Sequence, residues 1–179
     1  LSANNYIVKN FNLDRDEKEI LKHKTFTGHD IVPMVARLCV MNLYLHGIDG
    51  ETSPIKVTDS LKKNPGAIYD LVLTNPPFGK KSSETIITEE GDTAKQTLTV
   101  VRDDFWAETS NKQLNFLQHV RSILKINGKA AIVLPDNVLF EGGAGETIRK
   151  KLMETCDLHT ILRLPTGIFY AQGVKANVL

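Results

Sequence analysis

Asn75, Pro76, Pro77 and Phe78 are the residues of this chain whose types and order could do chemistry. Pro76 and Pro77 have no backbone N–H and hold φ near about −65°, and Pro76 also keeps Asn75 out of helical geometry. The result is a stiff turn whose carbonyls have few internal donors. Asn75 adds an amide oxygen, so the turn can aim two neutral acceptors at one substrate NH₂ while the Phe78 ring covers the heterocycle carrying it. An aromatic amine such as N6 of adenine is a poor nucleophile because its lone pair is delocalised into the ring. Two acceptors on its hydrogens favour a pyramidal nitrogen and stabilise the positive charge that develops during attack on an electrophilic methyl. The plainer alternative is a Pro-rich strand-to-loop turn with Asn as a local cap.

What must position this turn is the run before it. Asp70 is followed by Leu71, Val72, Leu73 and Thr74, an apolar stretch of the kind that forms a strand buried on both faces. Such a strand delivers Asn75 at its carboxyl end, the edge of an open parallel sheet where ligands bind.

With those residues in view, the chain resembles the amino-methyltransferases, whose Asn/Asp-Pro-Pro-Tyr/Phe motif sits at this place in their fold. Leu134-Pro135-Asp136-Asn137-Val138-Leu139-Phe140-Glu141-Gly142-Gly143, then Ile148 to Leu152, then Leu162-Arg163-Leu164-Pro165-Thr166-Gly167-Ile168-Phe169 extend the likeness over nearly the whole chain. They resemble the modification subunit of type I restriction-modification systems, an adenine-N6 DNA methyltransferase. The resemblance implies a Rossmann-like, S-adenosylmethionine-dependent methyltransferase fold with a mostly parallel sheet, and catalytic roles for Asn75, Pro76, Pro77 and Phe78. It also implies S-adenosyl-L-methionine as cofactor, double-stranded DNA as substrate, and a specificity subunit and a restriction subunit as partners.

Alternating strand and helix patterns support the same α/β class. Lys24-Thr25-Phe26-Thr27 is short and β-prone and ends at Gly28-His29-Asp30. Pro33 then opens a helix with Met34, Leu38, Met41 and Leu45 as its apolar stripe. Residues 55–58 and 69–74 read as strands, and Thr109-Ser110-Asn111 offers caps for a helix carrying Leu114, Leu117, Val120, Arg121 and Leu124, stopped by Asn127-Gly128. Further strands are expected at 129–135, 158–165 and from Lys175, with a helix through Ile148, Leu152 and Met153. The opening, from Leu1 to Lys22, reads as irregular except for a charged helical stretch from Asp14 to Leu21.

Residues 1–179 are expected to form a single, partial methyltransferase catalytic domain, and the polar segment 80–112, with a possible hairpin, an insertion mobile without DNA. The balance of 22 Lys+Arg against 21 Asp+Glu gives a net charge of +1 and no general basic field, so a nucleic-acid partner has to be argued from the site. Cys39 and Cys156 lie far apart in apolar helical patterns and read as buried core thiols of a cytoplasmic protein. No apolar run reaches the ~20 residues of a membrane span. The five histidines show no metal spacing.

On the cofactor side, an acid at the carboxyl end of an early strand can accept both ribose hydroxyls. Asp30 fills that place by resemblance, together with Asn75 on the methyl side, and Asp59 lies by resemblance beside the cofactor adenine. Asp30 also reads as an N-cap for the helix at Pro33, and Asp59 as a turn residue. The family's Gly-rich turn is not found before Asp30, and Gly142-Gly143-Ala144-Gly145 comes too late to serve. The expectation is therefore an internal piece starting just after that motif and lacking the first strand, inactive and a weak donor binder by itself. Arg149, Lys150 and Lys151 read either as phosphate contacts or as a solvated face. Phe169 reads either as a second stacking ring or as core. Modification of RNA or of a protein glutamine, and a purely scaffolding role, are the alternatives.

Overall fold

The computed structural model describes residues 1–50, 52–79, 99–169 and 174–179 in full, and residues 83–87 and 93–97 as backbone only. The chain divides into two compact units, Leu1–Ser60 and Leu61–Leu179.

The first unit begins with helices α1 (Ser2–Asn10) and α2 (Arg15–His23). A capping box starts α2: Asp14 accepts the Glu17 N–H while Glu17 accepts the Asp14 N–H. Strand β1 (Gly28–Asp30), helix α3 (Pro33–Leu45) and strand β2 (Ile55–Val57) follow. β1 and β2 pair in parallel with Asp30 opposite Val57. The buried apolar residues here are Leu21, Ala36 and Ile48.

The second unit carries the main sheet. Its elements are β3 (Tyr69–Thr74), the hairpin β4 (Ser83–Ile87) and β5 (Thr93–Thr97), α4 (Lys112–Ser122), β6 (Leu124–Pro135), α5 (Asn137–Phe140), α6 (Ala144–Thr155), β7 (Leu162–Arg163) and β8 (Ala176–Val178). The four-stranded sheet runs β3-β6-β8-β7, with β3 parallel to β6, and with β8 antiparallel to both β6 and β7. Helices α4 and α6 put Leu114, Leu117, Val120, Ile148 and Leu152 against Ile132 and Leu134 of β6 and Val138 of α5, and this cluster is the core. At 20–33 cal/mol per Å² of apolar surface removed from water, it is what holds the sheet to its helices.

Several expectations change on contact with the structure. α1 is helical although no side chain caps it and it buries no residue, which is why its pattern is weak in the sequence. The first strand lies at 28–30, just past the β-prone run. β3 is covered on one face only: Val72 packs against the core, whereas Leu71 and Leu73, on the opposite face, are more than half exposed. The Met34, Leu38, Met41 and Leu45 stripe of α3 is likewise exposed, as is Cys39, while Cys156 is half-buried and both thiols are free. Helix α4 ends at Ser122, and Leu124 already pairs with Tyr69. Asn127, at φ 63°, and Gly128 therefore form an irregularity inside β6, where the register shifts, and do not stop a helix. The strand expected over 158–165 is reduced to Leu162–Arg163.

The expected insertion 80–112 falls partly outside the described residues. Its described end is anchored, with Arg102 and Asn111 buried and Trp106 packed on the core.

Candidate active site

Because β3 and β6 are parallel, with Thr74 opposite Ile132, both release their loops at the same edge of the sheet. β3 releases Asn75-Pro76-Pro77-Phe78-Gly79, and β6 releases Asp136 into α5.

In the first loop Pro76 is buried, Asn75 and Pro77 are exposed, and Phe78 is half-buried. The side chain of Asn75 makes no hydrogen bond among the described residues, and it stands exposed on a turn that the prolines stiffen. The ring of Phe78 is met edge-on by Phe169, with 5.0 Å between centroids and 79° between planes. Gly79 ends the loop, and its carbonyl accepts a 2.7 Å hydrogen bond from Nε2 of the buried Gln113.

The second loop is fixed by charge. Asp136 accepts from Asn177 Nδ2 at 2.6 Å and from the Arg163 guanidinium, and its backbone N–H donates to the Lys175 carbonyl at 2.9 Å. Asn177 is fully buried in β8, so the carboxylate at the end of β6 is tied to the strand inserted beside it. An open cleft of about 440 Å³ lined by Arg163, Leu164, Pro165, Thr166 and Lys175 lies there. Lys175 makes no ion pair among the described residues, whereas Arg163 is paired with Asp136.

The acids Asp30 and Asp59 belong to the first unit. Asp30 ends β1, and Asp59 follows β2, the parallel neighbour whose Thr58 N–H donates to the Asp30 carbonyl at 3.0 Å. Asp30 is not the N-cap of α3: that position is Val32, without a side-chain cap. Instead Asp30 Oδ1 accepts the Val32 N–H at 2.8 Å, closing the turn, while Oδ2 has no partner among the described residues. Beside it, burial lowers the pKa of His29 below the ordinary imidazole value, and the charge of Lys56 adds to the effect.

The basic run on α6 divides by contact. Arg149 donates to the Val138 carbonyl at 2.9 Å and Lys151 pairs with Glu154, so these two side chains have work within the fold, and Lys150 is exposed. Among the described residues no group of His, Cys, Asp and Glu could hold a metal ion, and no helix is long and apolar enough to cross a membrane.

Gln113 and the Asn111–Glu141 contact were not singled out by the sequence. Their only signal is a helix whose polar residues Gln113, Asn115, Gln118 and His119 are interleaved with its apolar ones, and all four are buried. Gln118 uses that burial to accept from the N–H groups of Trp106 and Ala107 at 2.8 and 2.9 Å.

Comparison with known proteins follows the same lines. The chain is 44% identical, over its whole length, to the type I restriction enzyme EcoKI methylase subunit of Escherichia coli K12, and equally to the StySJI methylase subunit of Salmonella typhimurium. It spans about a third (33%) of the length of these relatives. The crystal structure of the EcoKI M protein superposes with a TM-score of 0.77 at 43% identity, covering 99% of this chain and 34% of that one. A structure described by the assembly and conformational transition of the type I restriction-modification system gives a TM-score of 0.80 at 27% identity, with coverage of 99% and 34%. The α/β architecture is thus the Rossmann-like methyltransferase fold of these methylase subunits. A model of the family described as N-6 DNA Methylase matches residues 2–179, so the strand that ends in Asn75 and the loops around it sit in a chain that belongs to the N-6 DNA methylase family.

Proposed function

We propose that this chain is the catalytic portion of a modification subunit that transfers a methyl group from S-adenosylmethionine to N6 of a flipped adenine in double-stranded DNA. The observation that carries the reading is Asn75: an exposed amide without a partner among the described residues, at the carboxyl end of a parallel strand, set by two prolines and followed by Phe78.

Asn75 Oδ1 and a carbonyl of the turn accept the two N6 hydrogens, which turns the nitrogen lone pair outward and stabilises its developing charge. Phe78 stacks on the base, which leaves the duplex because N6 within it cannot reach the strand ends. Asp30, half-buried and with one oxygen unpartnered among the described residues, fits a ribose diol, and Asp59 lies one strand over for the cofactor's adenine. When bound, the donor supplies an electrophilic methyl on a sulfonium. The relatives are methylase subunits of type I restriction enzymes, and a specificity subunit and a restriction subunit are the corresponding partners in the cytoplasm. Lys175, at the cleft beside the β6 exit, offers a cation to the DNA backbone.

The test is to incubate the full-length subunit with its partners, labelled donor and unmethylated DNA, then digest to nucleosides. Label in N6-methyladenine is the expected result. Label in cytosine, in RNA or in protein, or none, contradicts the reading.

A further inference from the structure

Pro76 and Pro77 stiffen the start of the catalytic loop but not its end. Gly79 has the freest backbone of any residue type, and a Cβ placed there would meet nothing within 4 Å among the described residues, so the position lies open on that side. It is tied down by the hydrogen bond from Gln113 Nε2 to its carbonyl.

Gln113 stands in the first turn of α4. The turn is organised by Asn111, whose Oδ1 accepts the N–H groups of Gln113 and Leu114 at 2.9 and 3.3 Å. The other end of the same amide, Nδ2, donates to Glu141 Oε2 at 2.5 Å. Glu141 closes α5, the element that follows the exit of β6, with its N–H on the Asn137 carbonyl at 2.9 Å. One helical turn therefore grips both loops that leave the carboxyl edge of the β3–β6 pair. Leu114 and Leu117 bolt that helix into the core, so the grip has a rigid base.

We infer that the first turn of α4 is a positioning clamp for the base-methylating loop, with Gln113 its acting residue and Asn111–Glu141 its second jaw. The inference rests on the adenine-N6 reading above. Among the described residues the Asn75 side chain has no hydrogen bond, so its aim depends on the backbone of its own loop. Displacement of a reacting geometry by about 1 Å can cost ~10²-fold in rate. Neither Gln113 nor Glu141 touches the reacting atoms in this account; both act through the loops.

The test uses the full-length subunit with its partners and DNA carrying 2-aminopurine at the target position. Gln113→Met keeps the length of the side chain but removes the N–H donor, puts no charge at this buried position and suits a helix, so folding is retained. Glu141→Ala, outside the core cluster, releases the second jaw. The expected result is a single-turnover methyl-transfer rate lower by ~10-fold or more for Gln113→Met, and by a smaller factor for Glu141→Ala. Donor affinity is expected to stay unchanged, and the melting temperature to fall by no more than the few degrees of one lost hydrogen bond. Wild-type rates in both variants overturn the clamp, as does a loss of rate matched by an equal loss of donor affinity and thermal stability. A wild-type enzyme that makes no N6-methyladenine instead overturns the underlying reading.

Discussion

Phe169 meets Phe78 edge-on, with 5.0 Å between their centroids. A base held between two rings needs two stacking steps of about 3.4 Å each, so these two rings do not form a slot around it. Phe169 is instead a buttress that fixes the plane of Phe78 from the side. Removing Phe78 should therefore cost base retention on the scale of ~1–3 kcal/mol for stacking. Removing Phe169 should cost the smaller ~0.5–1.5 kcal/mol of an aromatic pair. Emission of 2-aminopurine at the target position reads both. A Phe169→Ala loss as large as that of Phe78→Ala would mean that both rings hold the base.

Acid should act on the two units at different pH. Burial, with Lys56, depresses the His29 pKa, so the unfolded chain binds this proton more tightly than the folded one. Its contribution is complete above the ordinary value of about 6.5 and is lost as pH falls through the folded value. Asp104 behaves in the same sense lower down. Burial pushes its carboxyl up, but hydrogen bonds from Arg102 and Ser122 and the Arg102 charge outweigh that and hold it below the usual carboxylate range. Urea midpoints from pH 7.5 to 5 should fall for the wild type and fall less for His29→Gln. An identical slope in the two proteins would remove His29 from the account.

The core of the second unit should be sensitive to single truncations. Leu114 and Ile148 are fully buried in the same cluster, so Ile148→Ala should cost ~2–5 kcal/mol. Met153, exposed on the same helix as Ile148, should tolerate Ala within about 0.5 kcal/mol. Chemical denaturation measures both. Equal costs would show that the cluster has been drawn around the wrong face of α6.

Lys175 should matter to DNA binding and little to chemistry. If it contacts a phosphate, Lys175→Ala lowers the slope of log affinity against log salt by about one and weakens all sequences alike. An unchanged slope would remove the cleft from the DNA path.

The reach of the sequence can be read from particular residues. The β3 strand and its Asn75 turn were legible because an apolar run broken by two prolines has few other readings. Asp30 was legible by place but not by bonding: its carboxylate closes a turn on Val32 and does not cap α3. The exposed α3 stripe and the outer face of β3 were misjudged because periodicity reports which residues are apolar, not whether a neighbouring element covers them. Gln113 was invisible for a related reason. A glutamine reads as solvated until the fold brings it to a carbonyl 34 residues away.

The most direct measurement on the central claim is single-turnover methyl transfer by an Asn75→Ala variant of the full-length subunit, with donor affinity determined in parallel. If Asn75 accepts from the target NH₂, transfer should slow by ~10²-fold or more, the scale for removing one preorganised transition-state partner, while donor affinity changes little. Transfer at the wild-type rate would contradict the account and reduce Asn75-Pro76-Pro77-Phe78 to a turn.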